Sequence, residues 1–176
     1  MKQPLLSDNH IRLRAMEPED LNILYEMEND TSLWKFGCTA SPYSRSTLKQ
    51  YLETSQNDLF ADKQIRLMIE RKIDCKVMGT IDLFDFVPIH SRAAVGIVLL
   101  ASFRKKGYAT EALMLLCNYV SGYLCLNQLY AHIAVDNQTC LRLFSSCGFT
   151  ECGVLKQWLR EGKEYKDAVM VQKVFL

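Results

Sequence analysis

Arg104-Lys105-Lys106-Gly107 is the part of this chain whose residue types and spacing best suit chemistry. Three cations precede a glycine where an apolar run ends and an amphipathic segment begins. A glycine there lets the backbone approach a ligand closely, and the unpaired N–H groups of the following helical turn lie at the positive end of the helix dipole. The guest that suits such a turn is a phosphate or pyrophosphate. The alternative is a solvated surface turn that happens to precede a helix. Neither G-x-x-x-x-G-K-[ST] nor G-x-G-x-x-G occurs in the sequence, which removes the usual support for nucleotide hydrolysis and for dinucleotide binding.

The elements that must hold this turn follow from hydrophobic periodicity. Ala94 to Leu100 reads as a strand entering the turn, and Ala112, Leu113, Leu116, Val120, Tyr123 and Leu124 mark the buried stripe of a helix leaving it. Upstream, Ile11 to Ala15 alternates as a strand, and Glu17-Pro18-Glu19-Asp20 starts a helix whose stripe is Leu21, Leu24 and Tyr25. A second helix is expected from Ser46 to Ser55, with an aromatic loop from Trp34 to Tyr43 before it. Ile65 to Glu70 and Val77 to Phe84 read as strands joined by a charged turn. Leu129 to Val135 gives another strand, Asp136-Asn137 opens a helix that ends at Gly148, and two strands follow around Arg160 to Lys163. This order predicts a single domain over residues 1–176 with a mixed α/β sheet.

With 176 residues, 49% of them hydrophobic, the chain can bury one substantial core. Its formal charge of +1 argues against nucleic-acid binding driven by bulk electrostatics. Residues 1–10 lack the apolar core of a secretory signal and no apolar run is long enough to span a bilayer, so the sequence predicts a cytoplasmic protein with no membrane partner. The seven cysteines form no C-x-x-C pair, which indicates neither a zinc knuckle nor a disulfide framework. Cys140 and Cys147, seven apart, read as small hydrophobes on one helical face.

Two segments taken together resemble the GNAT superfamily of N-acetyltransferases, in particular the branch with ribosomal-protein and spermidine acetyltransferases. Arg104 to Ala109 matches that family's R/Q-x-x-G-x-G/A loop, and Asn137 with Cys140, Leu143 and Cys147-Gly148-Phe149 resembles its N-x-x-S…L…x-G-F segment. Leu13 to Leu21, Asp85 to Gly96 and Gly162 to Asp167 extend the similarity across nearly the whole chain. The resemblance implies a mostly antiparallel sheet with splayed central strands flanked by helices, and acetyl-CoA as co-substrate with no metal. The pantetheine arm would run beside Ile97, Val98 and Leu99. Pyrophosphate would sit on the amides of Lys105, Lys106, Gly107, Tyr108, Ala109 and Thr110, next to Arg104, with Asn137 and Phe144 near the thioester.

Direct acetyl transfer to an amine needs a neutral nucleophile, a polarised thioester carbonyl and a proton for the leaving thiolate. Many relatives carry Glu where this chain has Ala94 and Tyr where it has Phe144, so both usual proton carriers are replaced. His132 is a substitute base on pKa grounds, against the plainer reading of a solvated strand histidine. Asp82 and Asp85 could attract a cationic amine, although three residues apart on a strand they face opposite sides unless it bends. Trp34, Phe36 and Tyr43 could wall the acceptor cleft, with Tyr165 and Asp167 near the last strand, and core packing or solvated hairpin positions are the alternatives. The expected partner is a small-molecule amine or a protein N-terminus, with a homo-oligomer left open. The competing function is an acyl-CoA-binding module with weak or no catalysis.

Overall fold

The computed structural model describes residues 5–34 and 39–175, so Phe36 lies outside the described residues. Its centre is a seven-stranded sheet in the order β1-β2-β3-β4-β5-β7-β6. The strands are β1 (Ile11–Arg14), β2 (Ile65–Arg71), β3 (Lys76–Val87), β4 (Arg92–Leu99), β5 (Gln128–Ala134), β6 (Thr150–Glu161) and β7 (Glu164–Val174). All neighbours are antiparallel except β4 and β5, which are parallel and pair only from Arg92–Gln128 to Ala94–Tyr130. Beyond Ala94 the two strands diverge, leaving a splay in the middle of the sheet.

Strand alternation sends Ile69, Ile81, Leu83, Val95, Leu129 and Ile133 to one face, where α5 (Tyr108–Tyr119) and α6 (Gln138–Ser146) cover them. Ala112, Leu113, Leu116 and Val120 are fully buried in that core. Each large aliphatic chain so buried contributes about 1.5–3 kcal/mol of transfer free energy. Gly79 is required here: a Cβ on it would lie 2.0 Å from the Val98 carbonyl oxygen, so β3 and β4 approach more closely than any side chain allows. α5 continues into a π-helical turn at Val120–Leu124, which accounts for the apolar stripe running past the end of the regular helix.

The opposite face is covered on one side by α1 (Leu21–Glu28) and α3 (Arg45–Thr54), while α2 (Thr31–Trp34) lies between them in sequence. Pro18 opens the turn before α1, and the Ser44 hydroxyl caps α3 by accepting from the Thr47 N–H. Buried Glu70 accepts from Arg12 and Arg14, and Arg14 also grips Asp20, which ties β1 and β2 to the start of α1. Two short helices are absent from the sequence reading, α2 and α4 (Leu59–Asp62). Four residues cannot display a helical period, although Asp58 caps α4 through the N–H groups of Phe60 and Ala61. Among the described residues no helix is long and apolar enough to cross a membrane.

Candidate active site

β4 delivers the chain into a short turn at Ala101–Phe103, and Arg104 then doubles back so that its Nε donates to the Leu99 carbonyl at 2.8 Å. Lys105 and Gly107 both adopt left-handed backbone, at φ 59° and 88°, and Gly107 is the N-cap of α5. Nothing lies within 4 Å of where a Gly107 side chain would begin, so the space above the helix start is open. The N–H groups of Tyr108, Ala109 and Thr110 belong to the first turn of α5 and have no carbonyl before them in the helix to bond. An anion would meet these donors and the positive end of a helix twelve residues long.

The splay opens directly onto this helix start. From Val95 to Leu99, β4 is paired only with β3 among the described residues, so its other edge offers N–H and C=O groups to an extended amide-bearing ligand. Asn137 stands on the far side of the splay at the head of α6, its side chain accepting from the Cys140 N–H at 3.2 Å. Together these groups would suit an elongated molecule with an anionic end and peptide-like amides.

Comparison with known proteins decides what this geometry belongs to. The description of the acetyltransferase (GNAT) domain matches residues 10–150. The chain belongs to the GNAT acetyltransferase family. It is 27% identical over 167 residues to spermidine N(1)-acetyltransferase of Escherichia coli K12, covering 93% of this chain and 85% of the relative. It is also 27% identical over 167 residues to the putative ribosomal N-acetyltransferase YdaF of Bacillus subtilis, covering 92% and 90%. Among solved structures, spermidine N-acetyltransferase from Vibrio cholerae in complex with CoA and spermine superposes with a TM-score of 0.83 at 24% identity, covering 95% and 96%. Membership of the GNAT family fixes the reaction class as acetyl transfer from acetyl-CoA.

The structure distributes the remaining sequence candidates unevenly over the face of the sheet away from α5 and α6. Ala94 is buried between Phe84 on β3 and Tyr130 on β5. The Phe84 ring also reaches over Gly96, where an added Cβ would sit 3.3 Å from it. His132 is exposed on this face, its ring centroid 5.5 Å from those of both Tyr130 and Trp158. Burial lowers the His132 pKa from the ordinary imidazole value, and Asp85 opposes that shift without reversing it.

Asp82 and Asp85 are not an equivalent pair. Both oxygens of Asp82 are taken by Arg66, at 3.0 Å each, and Arg66 also donates to Glu28 at 2.5 Å. Burial and the neighbouring Glu28 push the Asp82 carboxyl upward against the pull of Arg66. Asp85 sits on a bulge with φ 48°, where the β3–β4 register slips between Phe84 and Val87, and it is exposed. Trp34 ties α1 to α2 by donating its indole N–H to the Glu28 carbonyl, and Tyr43 is exposed. Tyr165 is 60% exposed at the tip of the β6–β7 hairpin, while Asp167 accepts from Lys156 and from the Gln157 N–H.

Phe144, expected beside the thioester, is 2% exposed and meets Phe149 edge-on at 4.9 Å. Phe144→Tyr is therefore expected to lower the melting temperature, since a buried hydroxyl without a partner costs about 1–3 kcal/mol, with no gain in single-turnover rate. A faster turnover at unchanged stability would place the new hydroxyl at the sulfur instead. The buried thiols are poor acetyl carriers, because burial pushes Cys117 and Cys140 up to about 11 and raises Cys147 as well.

Asp8, His10 and Glu111 bring three potential metal-ligand atoms within 4.8 Å of one another beside the start of α5. Arg71, Lys72 and Lys106 line the same cleft, a positive surrounding that opposes a cation. The His10–Glu111 contact at 3.2 Å reads as a polar pair on the first turn of the helix.

Proposed function

We propose that this chain moves an acetyl group directly from acetyl-CoA to a primary amine, with a polyamine as the first acceptor to test. The observation that carries the reading is the splay between β4 and β5 opening onto the Gly107 turn. It places amide-pairing edges and anion donors in the order in which pantetheine and pyrophosphate occur along CoA. The spermidine acetyltransferases among the relatives support a cationic acceptor, and the exposed carboxylate of Asp85 gives such an acceptor a counter-charge. The reading includes the cytoplasm as its setting, where exposed thiols such as Cys75, Cys125 and Cys152 stay reduced. It also includes a homo-oligomer, supported by the outer edge of β6, which pairs with no other strand than β7 among the described residues.

His132 is the side chain we assign to accept the amine proton, directly or through water. Its lowered pKa keeps the imidazole neutral at pH 7 and able to accept. Protonation disables it, so the rate should fall on acidification with a midpoint below the ordinary imidazole value. His132→Gln is expected to remove that acid limb and lower kcat by about 100-fold or more. An acid limb that persists in the variant would assign the proton to another group.

The deciding assay follows CoA thiol release with a panel of spermidine, monoamines and peptides with free N-termini. Release with an amine establishes the transferase, and its preference names the acceptor class. CoA binding with no release on any amine would leave an acyl-CoA-binding module.

A further inference from the structure

Two bulges, one in β3 and one in β6, aim side chains at the same patch of the face away from α5 and α6. In β3 the left-handed residue is Asp85 itself. In β6 it is Gln157, at φ 50°, where pairing with β7 lapses between Leu155 and Leu159 and the Gln157 N–H is held by Asp167 at 2.9 Å. Left-handed backbone at non-glycine residues is costly, and bulges of this kind re-aim side chains beside functional sites. The β6 bulge delivers Trp158 to His132, with ring centroids 5.5 Å apart at 65°. Tyr130 completes the row at 5.5 Å on the other side of His132.

This row differs from four aromatic side chains elsewhere in the fold. Tyr25, Phe86, Phe103 and Phe175 each lie under a Lys or Arg of the chain itself. Among the described residues no cation lies over Tyr130 or Trp158, and no ion pair engages Asp85. Trp158 is 55% exposed, and Phe84 beside Asp85 is 38% exposed. A large open indole on one side of His132, with a carboxylate acting on His132 and Tyr130, suits an alkylammonium: the cation meets a ring face, the methylenes lie along the rings, and the carboxylate supplies the counter-charge. Asp85 and Arg92 both act on Tyr130, and Asp85 also acts on His132, so the carboxylate reaches the middle of the row while Trp158 forms its open end.

We propose that Trp158, with Tyr130 and Asp85, forms a recognition wall for a second, non-reacting ammonium of the acceptor, so that the enzyme selects diamines and polyamines over monoamines. The inference rests on the acetyl-transfer reading and adds the residues that choose among amines. Trp158 provides the ring face, Asp85 the charge, and the reacting amine is left towards the splay.

The test compares wild type, Trp158→Phe, Trp158→Leu and Trp158→Ala, with spermidine and n-butylamine as acceptors and circular dichroism to verify the fold. Loss of the ring face in the Leu and Ala variants is expected to lower the spermidine to n-butylamine ratio of kcat/KM about fivefold, mainly through KM, while Phe retains most of it. Spermidine added without acetyl-CoA should quench the fluorescence of wild type, and in the Ala variant the same titration, followed by calorimetry, should need about fivefold more ligand. An unchanged ratio in all three variants overturns the wall while leaving acetyl transfer standing. Turnover of n-butylamine but neither binding nor turnover of spermidine by wild type also overturns it. If no amine is acetylated, the acetyl-transfer reading fails, and the spermidine titration alone still decides the wall.

Discussion

Gly107→Glu is expected to weaken CoA binding by about 1,000-fold while leaving the fold in place. A carboxylate about 4 Å from a phosphate in a partly screened site costs about 4 kcal/mol, which corresponds to roughly that factor. The space is open, so the substitution makes no clash; its backbone at φ 88° adds left-handed strain of about 1–2 kcal/mol. Gly107→Ala separates the two effects, because it carries the strain without the charge and should cost only a small part of the affinity. Calorimetry with CoA measures both. Equal affinity in wild type and the Glu variant would remove the pyrophosphate from this turn.

Arg66→Met is expected to destabilise the protein by about 2–3 kcal/mol, between the values for exposed and fully buried ion pairs, because Arg66 and Asp82 keep about a quarter of their side-chain exposure. Burial opposes the charge on Arg66, but Asp82 and Glu28 more than offset it and hold its pKa well above the usual range. Without it, two carboxylates remain together on the covered part of the sheet, and Asp82, already pushed upward, rises further. The sign of the pH dependence follows. A carboxyl whose folded pKa is raised keeps its proton longer than in the unfolded chain, so stability falls as pH rises through that interval. The variant should therefore recover part of its loss in mildly acidic solution. Asp82→Asn leaves Arg66 bonded to Glu28 and should cost less. Urea denaturation at neutral and mildly acidic pH measures these differences, and a loss under about 1 kcal/mol for Arg66→Met would show the group to be solvated rather than buried.

The Gly107 turn and its helix were legible because their signals are local: a glycine, its flanking cations and a 3.6-residue stripe lie within twenty residues of one another. The strand order, with β7 inserted between β5 and β6, leaves no such mark and entered through the family resemblance. The partner of Asp82 was hidden because Arg66 is sixteen residues away and becomes a neighbour only through the β2–β3 register. The bulges at Asp85 and Gln157 were illegible for a different reason. Neither residue is a glycine, so nothing in the sequence announced left-handed backbone there. Trp158 was consequently not singled out in the sequence, and the motif that carries Phe144 does not specify its local packing.

β6 is attached to the sheet only along β7 among the described residues, and most of its twelve positions are exposed. Its detachment disrupts little of the core, so it has a lower local unfolding free energy than the strands between β1 and β7. The Gly107 turn is anchored in that core through α5, whereas Trp158 travels with β6. The Gly107 turn and Trp158 thus belong to cooperative units of different stability. With CoA on the turn and the amine at Trp158, as proposed, mild denaturant or warming is expected to erode discrimination among amines before it loosens the grip on CoA.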